Sequence, residues 1–122
     1  MSLTTWEYNG KTFELDLGDA DTAERYEKAF DTMADQEKTL PKDGSVSARI
    51  RAYCNLFIDL YDSLFYPGAG REILPKDSIF LANESYKSFL EFAQNQVIST
   101  QNFLPAMQAK YSPNRAQRRA KK

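Results

Sequence analysis

Few residues in this sequence have the types and spacing that catalysis or metal binding requires. Cys54 is the single cysteine and a potential nucleophile, but the sequence contains no histidine to activate it. Its neighbours Tyr53 and Phe57 lie on an apolar helical stripe, which indicates a core position. The carboxylates of Asp59 and Asp62 have helical spacing, yet no metal-ligand set accompanies them. We therefore predict that the protein is not an enzyme and binds no metal or cofactor.

The segment YPGAGRE, residues 66–72, is the glycine-containing loop that suggests phosphate binding. In it, Gly68 and Gly70 would expose backbone amides beside Arg71. The segment lacks the Gly-Lys-Ser/Thr ending of a P-loop and the third glycine of a dinucleotide-binding loop. A helix end followed by a turn explains these residues better, because glycine and proline commonly interrupt regular structure.

The charges are divided unevenly along the chain. Residues 110–122 contain six of the 16 basic residues and none of the 17 acidic residues. This leaves ten basic residues against 17 acidic ones in residues 1–109, a formal charge of −7. An acidic body repels phosphate, so any affinity for nucleic acid must come from the basic tail alone.

The segment LTTWEYNGKTFELDL, residues 3–17, predicts a β-hairpin. Asn9-Gly10 is a typical two-residue type I′ turn, and the runs on both sides are rich in aromatic and β-branched residues. With this turn, Trp6 lies opposite Phe13, and the large apolar side chains fall on one face. Two strands alone are only marginally stable in water, so this face is expected to pack on helices.

Three amphipathic helices are predicted after the hairpin, at about residues 21–39, 45–65 and 84–102. Asp21 and Glu24 resemble a capping box at the start of the first helix. The wide apolar stripe of the second, which begins at Val46 and includes Tyr53, indicates the central helix. Residues 66–77 are predicted to be the longest irregular segment, and Pro105 is expected to bend or end the last helix.

These elements predict a mainly α (α+β) fold, in which an N-terminal β-hairpin packs on a bundle of three to four helices. We expect one globular domain over residues 1–109 and a disordered basic tail over residues 110–122. The segment DSIFLA, residues 77–82, fits either a helical turn or an extended piece. No apolar run approaches the ~20 residues of a membrane span, and the N-terminus lacks the regions of a secretory signal. We therefore predict a soluble protein of a reducing cytoplasm.

The ending SPNRAQRRAKK, residues 112–122, resembles the Asn-Arg-Ala-Gln-Arg-Arg ending common among tail assembly chaperones of long-tailed (siphovirus-like) phages and prophages of Gram-positive bacteria. The detailed match covers residues 114–119. The layout is also similar, because those proteins are small helical domains that often open with a strand pair. Their helical middle leads into a glycine-containing loop, as in LYDSLFYPGAGREIL at residues 60–74. Many relatives carry a Phe-Gly pair where this chain has YPGAGRE.

The resemblance implies a chaperone that binds the tape measure protein, keeps its hydrophobic helices soluble and helps to recruit tail tube subunits. It implies a location in the cytoplasm of the bacterial host and absence from the mature virion. Self-association is compatible with it, whereas a membrane or nucleic-acid partner is not expected. The partner contacts that it implies fall in the tail motif and in the glycine-containing loop: Asn114, Arg115, Gln117, Arg118 and Arg119 in the motif, and Tyr66, Arg71 and Ile73 in the loop.

Two other classes of function stay open. One is a small nucleic-acid-binding or regulatory protein whose basic tail binds phosphates, with a weak, salt-sensitive Kd on the order of 10⁻⁴ to 10⁻⁶ M. The other is a structural connector that is retained in the virion. The five basic residues that would bind phosphates in the first class are Arg115, Arg118, Arg119, Lys121 and Lys122.

Overall fold

The structure is a computed structural model that describes residues 3–111. In chain order its elements are β1 (Thr5–Tyr8), β2 (Lys11–Glu14), α1 (Ala20–Glu37), α2 (Val46–Leu64), α3 (Ala69–Ile73) and α4 (Ile79–Tyr111). The two strands form one antiparallel sheet that packs on the helices. The predicted mainly helical class with an N-terminal hairpin is thus confirmed. Residues 112–122, which contain most of the predicted tail, lie outside the described residues.

The predicted hairpin register is confirmed. Trp6 pairs with Phe13, and the pairs on either side follow the same register. Asn9 has a φ of 53° and Gly10 a φ of 74°, the left-handed values that a type I′ turn requires at both central positions. The backbone N–H of Leu15 donates to the carbonyl of Thr4 at 2.9 Å, which extends the pairing beyond the strands.

Aromatic packing attaches this hairpin to the helices. The indole of Trp6 is only 4% exposed, and its ring centroid lies 5.6 Å from that of Phe13 and 5.4 Å from that of Phe89 on α4. Its Nε1–H donates to the hydroxyl of Ser88, also on α4, at 3.1 Å. Burial of such large rings supplies the stabilisation that two isolated strands lack.

The N-cap of the first helix lies two residues before the first residue of the predicted capping box. Asp19 is the N-cap, because its backbone is still extended and its carboxylate accepts the backbone N–H of Thr22 at 3.0 Å. Asp21 lies inside the first turn instead. For α2 the predicted start is confirmed, since the Ser45 hydroxyl caps the helix by accepting the N–H of Ala48 at 3.2 Å.

The predicted irregular segment contains the short helix α3. Gly68 precedes it with a φ of 96°, a conformation that favours glycine. Gly70 lies directly against α2, where an added Cβ would be 2.5 Å from the backbone oxygen of Ile58. The N–H of Gly70 also donates to Asp62 Oδ1 at 2.7 Å. The two glycines therefore do more than end a helix, because they allow α3 to pack closely on α2.

The last helix is longer than predicted at both ends. It starts at Ile79, so the end of the DSIFLA segment is helical, and it continues to Tyr111. Pro105 does not end it. A helical proline leaves the carbonyl four residues earlier without its usual donor. Here that residue is Gln101, and residues 101–108 are all exposed, so water can satisfy the carbonyl.

The predicted inward faces are only partly correct. On α1, Met33 is buried as predicted, whereas Tyr26 is only partly buried. On α2, Val46 is 71% exposed and Tyr53 37% exposed, although both belong to the predicted apolar stripe. Val46 is the first residue of α2, which places it at the edge of the packed region. On α4, Phe89 is fully buried as predicted.

Candidate partner-binding site

Cys54 and Asp62, which the sequence offered as candidates for catalysis or metal binding, have structural roles. Cys54 is fully buried, as predicted, and packs with Leu74 and Ala82. Burial raises the pKa of its thiol, and the negative charge of Asp77 adds to this effect. Asp62 accepts the N–H that docks α3. Among the described residues, no group of three or more His, Cys, Asp and Glu is arranged to hold a metal ion.

The predicted loop contacts do not form one surface. Tyr66 is 45% exposed, and its hydroxyl donates to the carboxylate of Glu72, a hydrogen bond that raises the pKa of Tyr66. Arg71 forms an ion pair with Asp77, with 3.0 Å between Nη1 and Oδ1. Ile73 is buried in the core rather than placed where a partner would contact it. The tail contacts predicted at residues 114–119 lie outside the described residues.

A different surface emerges from the inward stripe of α4. Steps of seven residues keep side chains on nearly the same face of a helix. Along one such series, Ala82 and Phe89 are fully buried and Gln96 is 2% exposed, but the next member, Phe103, is 63% exposed. The core-facing stripe of α4 therefore continues beyond the part of the helix that the rest of the protein covers.

The uncovered end of this stripe lines a groove of ≈ 380 Å³ beside the start of the hairpin. Four large apolar side chains in it are 41–63% exposed. Asp16, Gly18, Ser99 and Thr100 complete the lining. We call this feature the apolar groove, and its four exposed apolar residues are Leu3, Phe103, Leu104 and Met107.

A second opening of ≈ 610 Å³ lies nearer the N-terminal end of α4, between this helix and the hairpin. Leu3 lines both openings, so the two are neighbours. The lining of this second opening includes two carboxylates but no lysine or arginine among the described residues. We call it the acidic cleft, and the residues that define it are Glu7, Asn9, Glu91, Phe92 and Asn95.

Gln96 fixes the chain that forms one wall of the apolar groove. Its side-chain oxygen accepts the N–H of Leu17 at 2.7 Å, and its side-chain nitrogen donates to the carbonyl of Leu15 at 2.6 Å. Asp16, between these two residues, therefore has a fixed place beside α4. The sequence prediction missed the groove because it ended the helix near residue 102. The spacing of Ala82, Phe89 and Phe103 was the signal that could have revealed it.

The fold and the groove define a mainly helical protein that carries a two-stranded hairpin and exposes an apolar surface on its last helix. None of the helices within residues 3–111 is long and apolar enough to cross a membrane. The chain belongs to DUF6673, a family of unknown function, which matches residues 9–122. This match includes the basic end of the chain. Comparisons with curated proteins and with solved structures found no match.

Proposed function

We propose that this protein is a non-catalytic tail assembly chaperone of a long-tailed phage or prophage. In this proposal it binds a hydrophobic helix of the tape measure protein in the apolar groove and keeps that partner soluble. It also helps to recruit tail tube subunits. The observation that carries the proposal is the exposure of Phe103 at the position where the buried stripe of α4 continues.

The apolar groove has the chemistry that an amphipathic helix needs in a binding partner. Phe103 and Met107 are four residues apart, so they lie one turn apart on the same face. Aromatic residues and methionine are enriched at protein interfaces, and methionine adapts to partners of different shape. A partner helix with apolar residues at helical spacing would cover this face, in the helix-in-groove mode of recognition.

The basic tail supports the same proposal. It follows α4 directly, so a helix bound in the groove would lie close to the start of the tail. Residues 114–119 carry the ending that resembles tail assembly chaperones, and they fall inside the family match. We assign the tail residues Asn114, Arg115, Gln117, Arg118 and Arg119 to partner recruitment.

The proposal is tested by co-expression of the full chain with a candidate tape measure protein. The soluble fraction of the tape measure protein is measured with the wild-type chain, with a Phe103→Asp/Met107→Asp variant and with Ile98→Asp. Ile98 is a matched control, because it is 55% exposed on the same helix but does not line the groove. We expect the wild type and Ile98→Asp to keep the partner soluble and the groove variant to lose this effect.

Three results would overturn this function. The first is a tape measure protein whose solubility is unchanged by the wild-type chain. The second is enrichment of the protein in purified virions by mass spectrometry, since a chaperone should be depleted there. The third is tight, salt-dependent binding of DNA or RNA in fluorescence polarisation that is lost when the chain ends at Tyr111. That result would favour the nucleic-acid-binding class instead.

A further inference from the structure

We propose that the acidic cleft is a docking site for the chain's own basic C-terminal segment, residues 113–122. This intramolecular contact does not depend on the tape measure protein or on any other partner. It assigns an occupant to the opening of ≈ 610 Å³ between the hairpin and α4.

The cleft has the chemistry of a site for guanidinium and ammonium groups. The carboxylates of Glu7 and Glu91 accept charge-assisted hydrogen bonds from such groups, and the side-chain carbonyls of Asn9 and Asn95 add neutral acceptors. Neither carboxylate forms an ion pair with another residue in the part of the chain that the structure describes. Phe92 provides an aromatic wall beside them.

The acidic residues of α1 offer a less suitable site. Glu24 already binds Lys28 at 3.0 Å, and Asp35 binds Lys38 at 3.7 Å. Arg25 adds a further positive charge to this helix, and its guanidinium donates to the carbonyl of Leu64. The basic residues of α1 therefore oppose a cationic segment, whereas no basic residue lines the acidic cleft within the described part of the chain.

The length of the segment fits the distance to the cleft. With a helical rise of about 1.5 Å per residue, Asn95 lies ~24 Å and Glu91 ~30 Å back along α4 from Tyr111. An extended chain advances about 3.3 Å per residue, so Arg118 can reach ~23 Å and Lys122 ~36 Å from Tyr111. A segment that reverses direction after α4 thus brings its basic residues level with these two acceptors.

Charge and tethering favour this contact over a free segment. Residues 113–122 contain five basic and no acidic residues, while residues 1–109 carry a formal charge of −7. Because both parts belong to one chain, their effective concentration is in the millimolar range that short tethers give. Salt at 0.1 M screens charges beyond about 10 Å, so the contact must weaken as salt is added.

Paramagnetic relaxation enhancement tests this docking in the full chain. A nitroxide is attached to an Ala120→Cys variant, and the amide signals of Asn9, Gly10 and Asn95 are recorded at low salt. The wild-type chain, whose cysteine is fully buried, controls for labelling at Cys54. We expect at least a twofold loss of intensity at these amides and recovery in 0.5 M salt.

Matched charge variants identify the site. Glu7→Gln/Glu91→Gln should restore the intensities, whereas Asp31→Asn/Asp35→Asn, which removes the same charge from α1, should not. The proposal is overturned if no amide of the cleft is broadened, or if α1 is broadened equally. It is also overturned if broadening occurs only between a labelled chain and a second, ¹⁵N-enriched chain, since the segment then docks on another copy.

Discussion

The side-chain oxygen of Gln96 accepts a hydrogen bond from the backbone N–H of Leu17 at 2.7 Å. The nitrogen of the same amide donates to the carbonyl of Leu15 at 2.6 Å, so one buried side chain pairs with two backbone groups. These bonds attach the segment after the hairpin to α4, next to the apolar groove. The position of that segment therefore depends on one polar residue inside an apolar stripe.

Replacing Gln96 with leucine should destabilise the protein strongly. Gln96→Leu leaves the N–H of Leu17 and the carbonyl of Leu15 without partners, and each buried unpaired group costs about 1–3 kcal/mol. We expect the free energy of unfolding, measured by urea denaturation, to fall by roughly 2–5 kcal/mol. Gln94→Leu, at an exposed position on the same helix, should change it by less than about 0.5 kcal/mol. Equal effects of the two variants would contradict the structural role of Gln96.

Local sequence signals predicted the parts of the fold that depend on neighbouring residues. The Asn9-Gly10 turn and the alternation around it determine the register that pairs Trp6 with Phe13. Ser45 could likewise be assigned to a helix start, because a cap requires only the residue and the first turn after it. These features involve contacts within a few residues along the chain.

Features that depend on distant contacts were not predictable in this way. The close approach of Gly70 to Ile58 requires α3 to pack on α2, and no local pattern encodes that. The end of α4 was misjudged because Pro105 usually stops a helix, while solvent exposure here makes it tolerable. The apolar groove was missed for the same reason, since its residues follow the predicted helix end. The tail motif was found from sequence alone.

The contact between α3 and α2 should not tolerate a side chain at position 70. In Gly70→Ala, the new Cβ would meet the oxygen of Ile58 at 2.5 Å and its Cα at 2.7 Å. Both are backbone atoms, so a side-chain rearrangement cannot relieve the clash. We expect a loss of about 1–3 kcal/mol in the free energy of unfolding, the usual cost of overpacking.

Gly68→Ala is the control for Gly70→Ala, because it adds the same methyl group without a clash. An added Cβ at Gly68 meets no atom within 4 Å, and the cost comes only from its φ of 96°. Combining each variant with Ile58→Ala separates the two causes. Truncation of the Ile58 side chain should not rescue Gly70→Ala, because the backbone atoms remain. A full rescue would show that the side chain rather than the backbone limits the packing.

Tyr61 should make the protein sensitive to alkaline pH. Burial raises the pKa of its phenol above the usual value of 10.0, and the hydrogen bond with Ser85 only partly opposes this shift. Because the pKa is higher in the folded state, the stabilisation is present below pH 10.0 and is lost as the pH rises above it. We expect the free energy of unfolding to decrease more steeply above this pH in the wild type than in Tyr61→Phe. The pH slopes of the two unfolding free energies should differ by up to about 1.4 kcal/mol per pH unit.

At neutral pH, removing the Tyr61 hydroxyl and removing the Ser85 hydroxyl should lower the free energy of unfolding by different amounts. The Ser85 hydroxyl donates to the carbonyl of Ala82 at 3.0 Å and therefore accepts from the Tyr61 hydroxyl, also at 3.0 Å. Tyr61→Phe removes the bond but leaves the Ser85 donor paired, so it should cost about 0.5–1.5 kcal/mol. Ser85→Ala leaves a buried phenol without a partner and should cost about 1–3 kcal/mol. Urea denaturation that gave the opposite order would show that the hydroxyl of Tyr61 is hydrated.

The inward stripe of α4 should lose its importance for stability between Phe89 and Phe103. Phe89 is fully buried, so Phe89→Ala should cost about 3–5 kcal/mol in the free energy of unfolding. Phe103 lies 14 residues later on the same face but is 63% exposed, so Phe103→Ala should change it by less than about 0.5 kcal/mol. The Phe103 variant should instead bind less of a hydrophobic dye, because it removes exposed apolar surface. A loss of stability at Phe103 that equals the loss at Phe89 would mean that the groove is covered in the free protein. An open groove requires the two residues to differ.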